Sequence, residues 1–326
     1  MKTAAVALLG IWGVVLAAPA QAQSLTLEEV NKADLSAQKE SGISPTMIKA
    51  QVLLDRARFS PGVIDGYQGE NLQNAIEAFE KENNLQADGK LDEELWSKLT
   101  GTSSDPVLKE YTISEDDVNG PFVDEIPDKL KAQADLERLS YTSARELLAE
   151  KFHMDADLLK ALNPNKSFDK AGTTILVANV ATDGSDQAKK VKKIEVLKSE
   201  RALRALAEDG SLIAVYPATI GSEEKPAPDG THKVEAIAKN PTYTYNPEYS
   251  FEGVDSKEKF VVAPGPNNPV GSVWIDLSIE SYGIHGTPEP AKVGKTYSHG
   301  CVRLTNWDAE ELAEMVEKGT EVTFLD

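Results

Sequence analysis

Tyr282-Gly283-Ile284-His285-Gly286-Thr287 and, after a break rich in Gly and Pro, Tyr297-Ser298-His299-Gly300-Cys301-Val302-Arg303-Leu304 are the stretches that decide how this chain is read. They contain two of its 4 histidines and its 1 cysteine. A thiol at its ordinary pKa is mostly protonated near neutral pH, and a neighbouring imidazole or cation is needed to make it a useful nucleophile. His285 lies 16 positions before Cys301, so local helix geometry does not join them. Gly286, Pro288, Pro290 and Gly294 mark the intervening stretch as a loop, and a loop between strands can bring its ends together. Gly300 leaves room beside the sulfur for a substrate carbonyl to reach backbone N–H groups, the donors of an oxyanion hole. Composition alone leaves a buried cysteine with incidental histidines equally open. Zinc is a further alternative, but H-E-x-x-H and C-x-x-C spacings are missing and a fourth ligand has no evident source. No metal and no cofactor is expected.

Around these stretches the apolar period is near two. Ala202 to Ala207 alternates, Glu208-Asp209-Gly210-Ser211 has hairpin chemistry, and Leu212 to Ile220 reads as the return strand. Pro226-Ala227-Pro228-Asp229-Gly230 is a turn, and His232 to Ala238 and Val273 to Leu277 are further strands. Thr305-Asn306-Trp307-Asp308 starts a helix whose inner face is Ala309, Leu312, Ala313 and Val316, with Gly319 ending it. Glu321 to Leu325 is a last strand. Residues 193–326 therefore form a mainly β domain with one clear helix.

Upstream the pattern is helical. Ser44-Pro45 opens a helix with Met47, Ile48, Val52 and Leu53 on one face; Asn71 is expected to cap a second, carrying Leu72, Ala75, Ile76 and Phe79. Leu91, Leu95, Trp96 and Leu99 suggest a third, so residues 23–101 read as a small helical bundle. Residues 102–135 are polar, acidic and broken by Pro106, Pro121 and Pro127, the composition of a linker. Residues 136–182 hold two short helices and a strand, a small βααβ-like segment, and residues 183–192 are a second polar linker. The fold class expected is thus multidomain α+β.

Composition narrows the partners. A net charge of -19 lacks the positive field that nucleic acid requires, and disfavours docking on anionic lipid. Lys2, the apolar run Ala4 to Ala17, and Ala18-Pro19-Ala20-Gln21-Ala22 form an export signal, with cleavage expected after Ala22. That run is shorter than the roughly 20 residues that span a bilayer, so no stable membrane span is expected. A lone cysteine outside the cytoplasm has no internal disulfide partner, which leaves an inert thiol, an intermolecular link or a reactive nucleophile.

Three resemblances gather these readings. Ser298-His299-Gly300-Cys301-Val302-Arg303 with His285-Gly286 upstream, Pro228 to Thr231, Pro264-Gly265-Pro266, Asn268-Pro269 and Gly271 resemble the L,D-transpeptidase catalytic domain of YkuD type, across residues 193–326. Gln51, Leu53, Pro61-Gly62, Asp65-Gly66, Phe79, Asp88-Gly89 and Trp96 resemble the type 1 peptidoglycan-binding domain, with Glu80 standing where that family usually has glutamine. Tyr141-Thr142, Leu147, Phe152, Leu162-Asn163-Pro164 and Gly172 are similar to a lysin motif that lacks its usual Gly-Asp; this segment serves equally as a spacer or as a glycan binder. The catalytic resemblance implies Cys301 as nucleophile, His285 as general base, and the Gly286 carbonyl as its orienting group. His299 and Gly300 would line the substrate and oxyanion site with the Cys301 amide. Ser298 and Arg303 would hold the loop or the donor peptide, Arg303 serving equally as a structural ion-pair residue. It implies cross-linking of peptidoglycan stem peptides in the periplasm or cell wall. The alternatives are hydrolysis as an L,D-carboxypeptidase or endopeptidase, attachment or release of an envelope protein, a non-catalytic wall binder, and a thiol-redox protein.

Overall fold

The computed structural model describes residues 25–37, 41–180, 190–222, 225–249, 256–298 and 300–326. The expected export signal, most of the 183–192 linker and His299 lie outside the described residues.

The helical part runs through α1 (Leu27–Asn31), α2 (Pro45–Arg56), α3 (Glu70–Glu82) and α4 (Glu93–Thr100). Pro45 sits at the first position of α2, where no backbone donor is needed. Asp92 caps α4 by accepting from the Leu95 N–H. Asn71 does not cap α3: the extended residue before that helix is Gly69. The Asn71 amide is instead buried and donates to the Val293 carbonyl, 2.9 Å away in the C-terminal domain. Glu80 is buried and accepts from the Gly89 N–H at 2.9 Å, tying α3 to the Asp88-Gly89 turn.

The stretch expected to be a first linker carries β1 (Leu108–Thr112) and α5 (Glu115–Asn119), followed by α6 (Leu130–Gln133), α7 (Ala144–Lys151), α8 (Ala156–Leu162) and β2 (Thr174–Ala178). β1 pairs antiparallel with β2, from Leu108↔Ala178 to Thr112↔Thr174. Leu-Lys-Glu-Tyr-Thr has too few apolar residues to announce a strand; its partner far downstream fixes it. The polar face is organised as well: Asp117 accepts from Ser114, Tyr111 and Lys151. Helical bundle and middle segment share one hydrophobic core, in which Leu54, Ile64 and Phe79 join Leu108, Leu148, Phe152 and Val177.

The C-terminal part consists of β3 (Lys193–Leu197), β4 (Ala202–Leu206), β5 (Leu212–Pro217), β6 (Thr219–Ile220), β7 (Gly230–Lys239), β8 (Tyr243–Tyr245), β9 (Phe260–Val262), β10 (Val273–Leu277), β11 (Gly283–His285), β12 (Val302–Arg303), α9 (Asn306–Met315) and β13 (Glu321–Leu325). β8 and β9 form a hairpin, and the rest make a nine-stranded sheet ordered β5-β4-β3-β13-β7-β10-β11-β12-β6. The expected return strand 212–220 is divided at Ala218: β5 and β6 are opposite edges of the sheet, yet a single residue joins them. One residue spans at most about 3.6 Å, so the sheet must curl until its edges meet. β7 makes this possible, pairing with β13 through residues 230–233 and with β10 through residues 234–239. Thr305 caps α9 through the Asp308 N–H, and α9 packs on β10 and β11.

The helical bundle covers an edge of that sheet. Ser60 N–H donates to the Val215 carbonyl at 2.9 Å, and the Val215 N–H donates to the Arg58 carbonyl at 2.8 Å. Arg58 also pairs with Glu311 of α9 at 3.0 Å. An exposed edge strand is a template for unwanted pairing, and this contact removes one.

Candidate active site

β10, β11, β12 and β6 lie side by side, and their register sets a row of side chains. Trp274 pairs with His285, His285 with Arg303, and Arg303 with Thr219. Residues paired across strands share a face, and residues two apart on one strand share it as well. Cys301 immediately precedes β12, the strand that pairs with the one ending in His285. β11 and β12 are parallel, so the loop between His285 and Cys301 does what a crossover connection does: it returns the chain to the same end of the neighbouring strand.

His285 is buried, 4% exposed. Its Nδ1 lies 2.6 Å from the Gly286 carbonyl, which can only accept; Nδ1 therefore carries the proton and Nε2 has a free lone pair. The ring stacks on Trp274, centroids 5.5 Å apart and planes inclined by 21°. Desolvation, then the Arg303 charge, pulls the imidazole down to about 3, with the Gly286 carbonyl opposing only in part. The ring is therefore neutral at any physiological pH.

Cys301 is partly exposed, and its Sγ lies 3.7 Å from the Ser281 carbonyl. Desolvation pushes the thiol above its ordinary value; the Gly283 backbone, Arg303 and Lys225 counteract this in part. Both shifts favour the uncharged forms of the two side chains. Tyr243 of β8 is near enough to feel the thiol: burial, then Cys301 and Tyr245, push its phenol up to about 12.

The loop before Cys301 is tightly specified. Ser298 donates its hydroxyl to the Cys301 carbonyl at 2.6 Å, and its N–H donates to the Gly221 carbonyl at 2.9 Å. Gly300 has φ +101°, and a Cβ there would stand 2.6 Å from the Tyr282 ring. Arg303 has a buried Nε without a hydrogen-bond partner among the described residues, and burial depresses its ionisation. The Glu289 carboxylate is the charge that most favours it. No described carboxylate forms an ion pair with Arg303. No described group of three or more His, Cys, Asp or Glu side chains is arranged to hold a metal.

Sequence reading misses Trp274, Tyr243 and Asn306. Trp274 reaches His285 only through the antiparallel register of β10 and β11, which no local pattern encodes. Asn306 is visible in the sequence only as part of a helix start. Elsewhere, a cavity of about 510 Å³ lies where the helical part meets α9, lined by Asp55, His153, Trp307 and Asp308 among others. Neither His285 nor Cys301 lines it.

His285, with its Nδ1 on a backbone carbonyl, and Cys301, directly before the neighbouring strand, thus stand at the two ends of one glycine-bounded loop. Residues 191–324 match the family described as the L,D-transpeptidase catalytic domain, and residues 44–99 match the putative peptidoglycan binding domain. The putative L,D-transpeptidase YkuD of Bacillus licheniformis is 30% identical over 180 residues, 55% of this chain and 91% of that protein. The probable L,D-transpeptidase YbiS of Escherichia coli K12 is 35% identical over 136 residues, 41% of this chain and 44% of that protein. Among solved structures, the Enterococcus faecium L,D-transpeptidase catalytic domain acylated by ertapenem gives a TM-score of 0.33 at 23% identity, covering 42% of this chain and 98% of that one. L,D-transpeptidase 3 of Mycobacterium tuberculosis gives 0.34 at 19% identity, covering 41% and 60%. The chain belongs to the YkuD family of L,D-transpeptidases, and it carries a peptidoglycan-binding domain as well. Among the described residues no helix is long and apolar enough to cross a membrane.

Proposed function

We propose that this protein cross-links peptidoglycan stem peptides outside the cytoplasm through a thioester on Cys301. The observation that carries this reading is the fixed tautomer of His285, at the end of a strand paired with the one that begins directly after Cys301. In the first half-reaction Nε2 takes the thiol proton as Sγ attacks the carbonyl between an L-centred diamino acid and the terminal D-alanine of a donor tetrapeptide. The C–S bond forms, and negative charge develops on the former carbonyl oxygen. Backbone N–H groups at Gly300 and Cys301 are the candidate donors for it. The C–N bond then breaks, D-alanine leaves with the proton from Nε2, and a thioester remains.

In the second half-reaction an amine of another stem peptide gives its proton to Nε2 and attacks the thioester, releasing the thiolate, which recovers the proton. A neutral resting pair suits this sequence. The base must be unprotonated before attack, and a ring depressed to about 3 is unprotonated throughout the envelope's pH range. The imidazolium formed in transit is stabilised by the Gly286 carbonyl, the task a carboxylate performs in other triads. Arg303, with its unpartnered Nε and its place on the same face, is suited to hold a donor-peptide oxygen. His299 is assigned to the substrate side by family resemblance alone. The helical domain would keep the enzyme on its polymer and raise the local substrate concentration.

Incubation with purified tetrapeptide muropeptides tests the reading. Dimers that have lost one D-alanine are expected. Tripeptides alone would reassign the enzyme to hydrolysis, with water as acceptor, and unchanged muropeptides alongside an active control would remove the assignment.

A further inference from the structure

We propose that Glu150 and Asn306 are positioning residues for His285, so that the middle segment is part of the catalytic apparatus and not a spacer. This rests on His285 being the base of the proposed reaction.

The connection is continuous. Glu150 lies in the last turn of α7 and is buried. Its Oε2 accepts from Asn306 Nδ2 at 3.0 Å and from the Tyr141 hydroxyl at 3.3 Å. Asn306, 3% exposed, is the first residue of α9. The same Nδ2 donates to the Pro266 carbonyl at 3.2 Å, and Oδ1 accepts from the Ser272 N–H at 3.1 Å. Two acceptors on one side and a donor on the other leave the amide a single orientation. Oδ1 occupies the space where a Cβ would stand on Gly271, at 2.1 Å, and on Gly286, at 2.2 Å. The amide is therefore pressed against the peptide whose carbonyl fixes His285 Nδ1, and side chains at either glycine would displace it. Gly286 is held from its other side by its N–H to the Val273 carbonyl, at 3.2 Å.

A second set of contacts ties the middle segment to the same loop. Leu139 N–H donates to the Pro264 carbonyl at 3.0 Å, and Asn267 N–H to the Leu139 carbonyl at 2.9 Å. Asn267 Nδ2 donates to the Ser140 carbonyl at 3.0 Å and to Glu146 Oε1 at 2.8 Å. Residues 264–272 lead directly into β10, which carries Trp274 against the other face of His285. The brace thus reaches the imidazole through the Gly286 carbonyl and through the loop that sets β10.

Desolvation raises the Glu150 carboxyl to about 7, with Asn306 and Tyr141 opposing and Glu146 and Glu310 adding to the rise. Those four are the polar and charged groups that face it, from α7, α9 and the segment before α7. Both contacts shown for Glu150 are accepted by one oxygen, so glutamine keeps them with its carbonyl oxygen, whereas leucine keeps only volume.

The test uses the full chain with histidine rings labelled with nitrogen-15. In the unmodified protein His285 is expected as the Nδ1–H tautomer. Glu150→Leu is expected to shift signal toward Nε2–H and to slow the first-order acylation by a carbapenem about 10-fold, with the half-saturating concentration unchanged. Glu150→Gln is expected to restore both to within about threefold of the parent. A folded Glu150→Leu protein with the parent tautomer and acylation rate overturns the proposal. If Glu150→Leu does not fold, Glu150→Asp, one methylene short of Asn306, takes its place: a moved tautomer with slowed acylation supports the brace, and parent values of both overturn it. If the unmodified protein is not acylated but the tautomer moves in the variant, the reaction assignment fails while the brace stands.

Discussion

Two histidines, each packed on a tryptophan and each largely removed from water, have opposite electrostatic fates in this molecule. His285 stacks on Trp274 and is driven to about 3. His153 stacks on Trp307, centroids 5.1 Å apart and planes 8° from parallel, and is raised above its ordinary value. Desolvation opposes the charged form of both. The difference is the partner of Nδ1. His153 faces the Asp55 carboxylate at 2.9 Å, with Asp308 and Glu311 nearby, and these charges outweigh the burial. His285 faces a neutral carbonyl, and the nearby formal charge is Arg303. The first arrangement favours the charged form of a histidine in a junction between modules; the second favours the neutral form. Burial fixes how much a partner matters, and the partner's charge fixes the direction.

The contrast is sharpest at His285. Cys301→Ala is expected to abolish the covalent carbapenem adduct in intact-protein mass spectrometry, and His285→Ala to slow its formation by about 10³-fold or more. In contrast, Asp55→Asn is expected to cost about 2 kcal/mol in denaturant unfolding while leaving the acylation rate of the folded protein near the parent value, because it removes the charge that His153 Nδ1 faces. An Asp55→Asn protein of unchanged stability would show that the His153 pair is not a structural cation.

The pH dependence separates the regions further. The buried Asp308 carboxyl is raised from 3.8 to about 7, chiefly by desolvation. A raised carboxyl binds its proton more tightly in the folded state, so its stabilising contribution is complete below about 3.8 and is lost as pH rises through about 7. Asp308→Asn is expected to flatten the decline in stability between those values, measured by urea unfolding at a series of pH values. Asp117, held down at about 2 with Lys151 as its principal partner, acts in the opposite sense, its contribution fading as pH falls below about 4. The smallest effect belongs to the surface. Lys239 pairs with Glu314 with both side chains more than half exposed, and Lys239→Ala is expected to leave the urea midpoint unchanged.

The thiol, the imidazole and the orienting glycine are legible because each sits in a short motif whose chemistry is local to its residue types. The helix start at Thr305 and the strand Glu321 to Leu325 are legible from capping and alternation. β1 is not, because Lys109, Glu110 and Thr112 break the apolar pattern and the strand owes its existence to β2. Asn71 reads as a cap because asparagine favours that position, but a carbonyl of another module claims its amide. Glu150 reads as an ordinary charged residue on α7; only the three-dimensional arrangement puts its carboxyl against Asn306. In each case the missing information is a long-range contact, and these contacts are what join the three modules.

The position of β13 makes it the keystone of the sheet. This strand is among the last residues of the chain, yet it lies between β3 and β7 and stitches β5-β4-β3 to the strands that carry the thiol and imidazole. Five residues, 321–325, thus carry the hydrogen bonds of two neighbours at once, parallel to β3 on one side and antiparallel to β7 on the other.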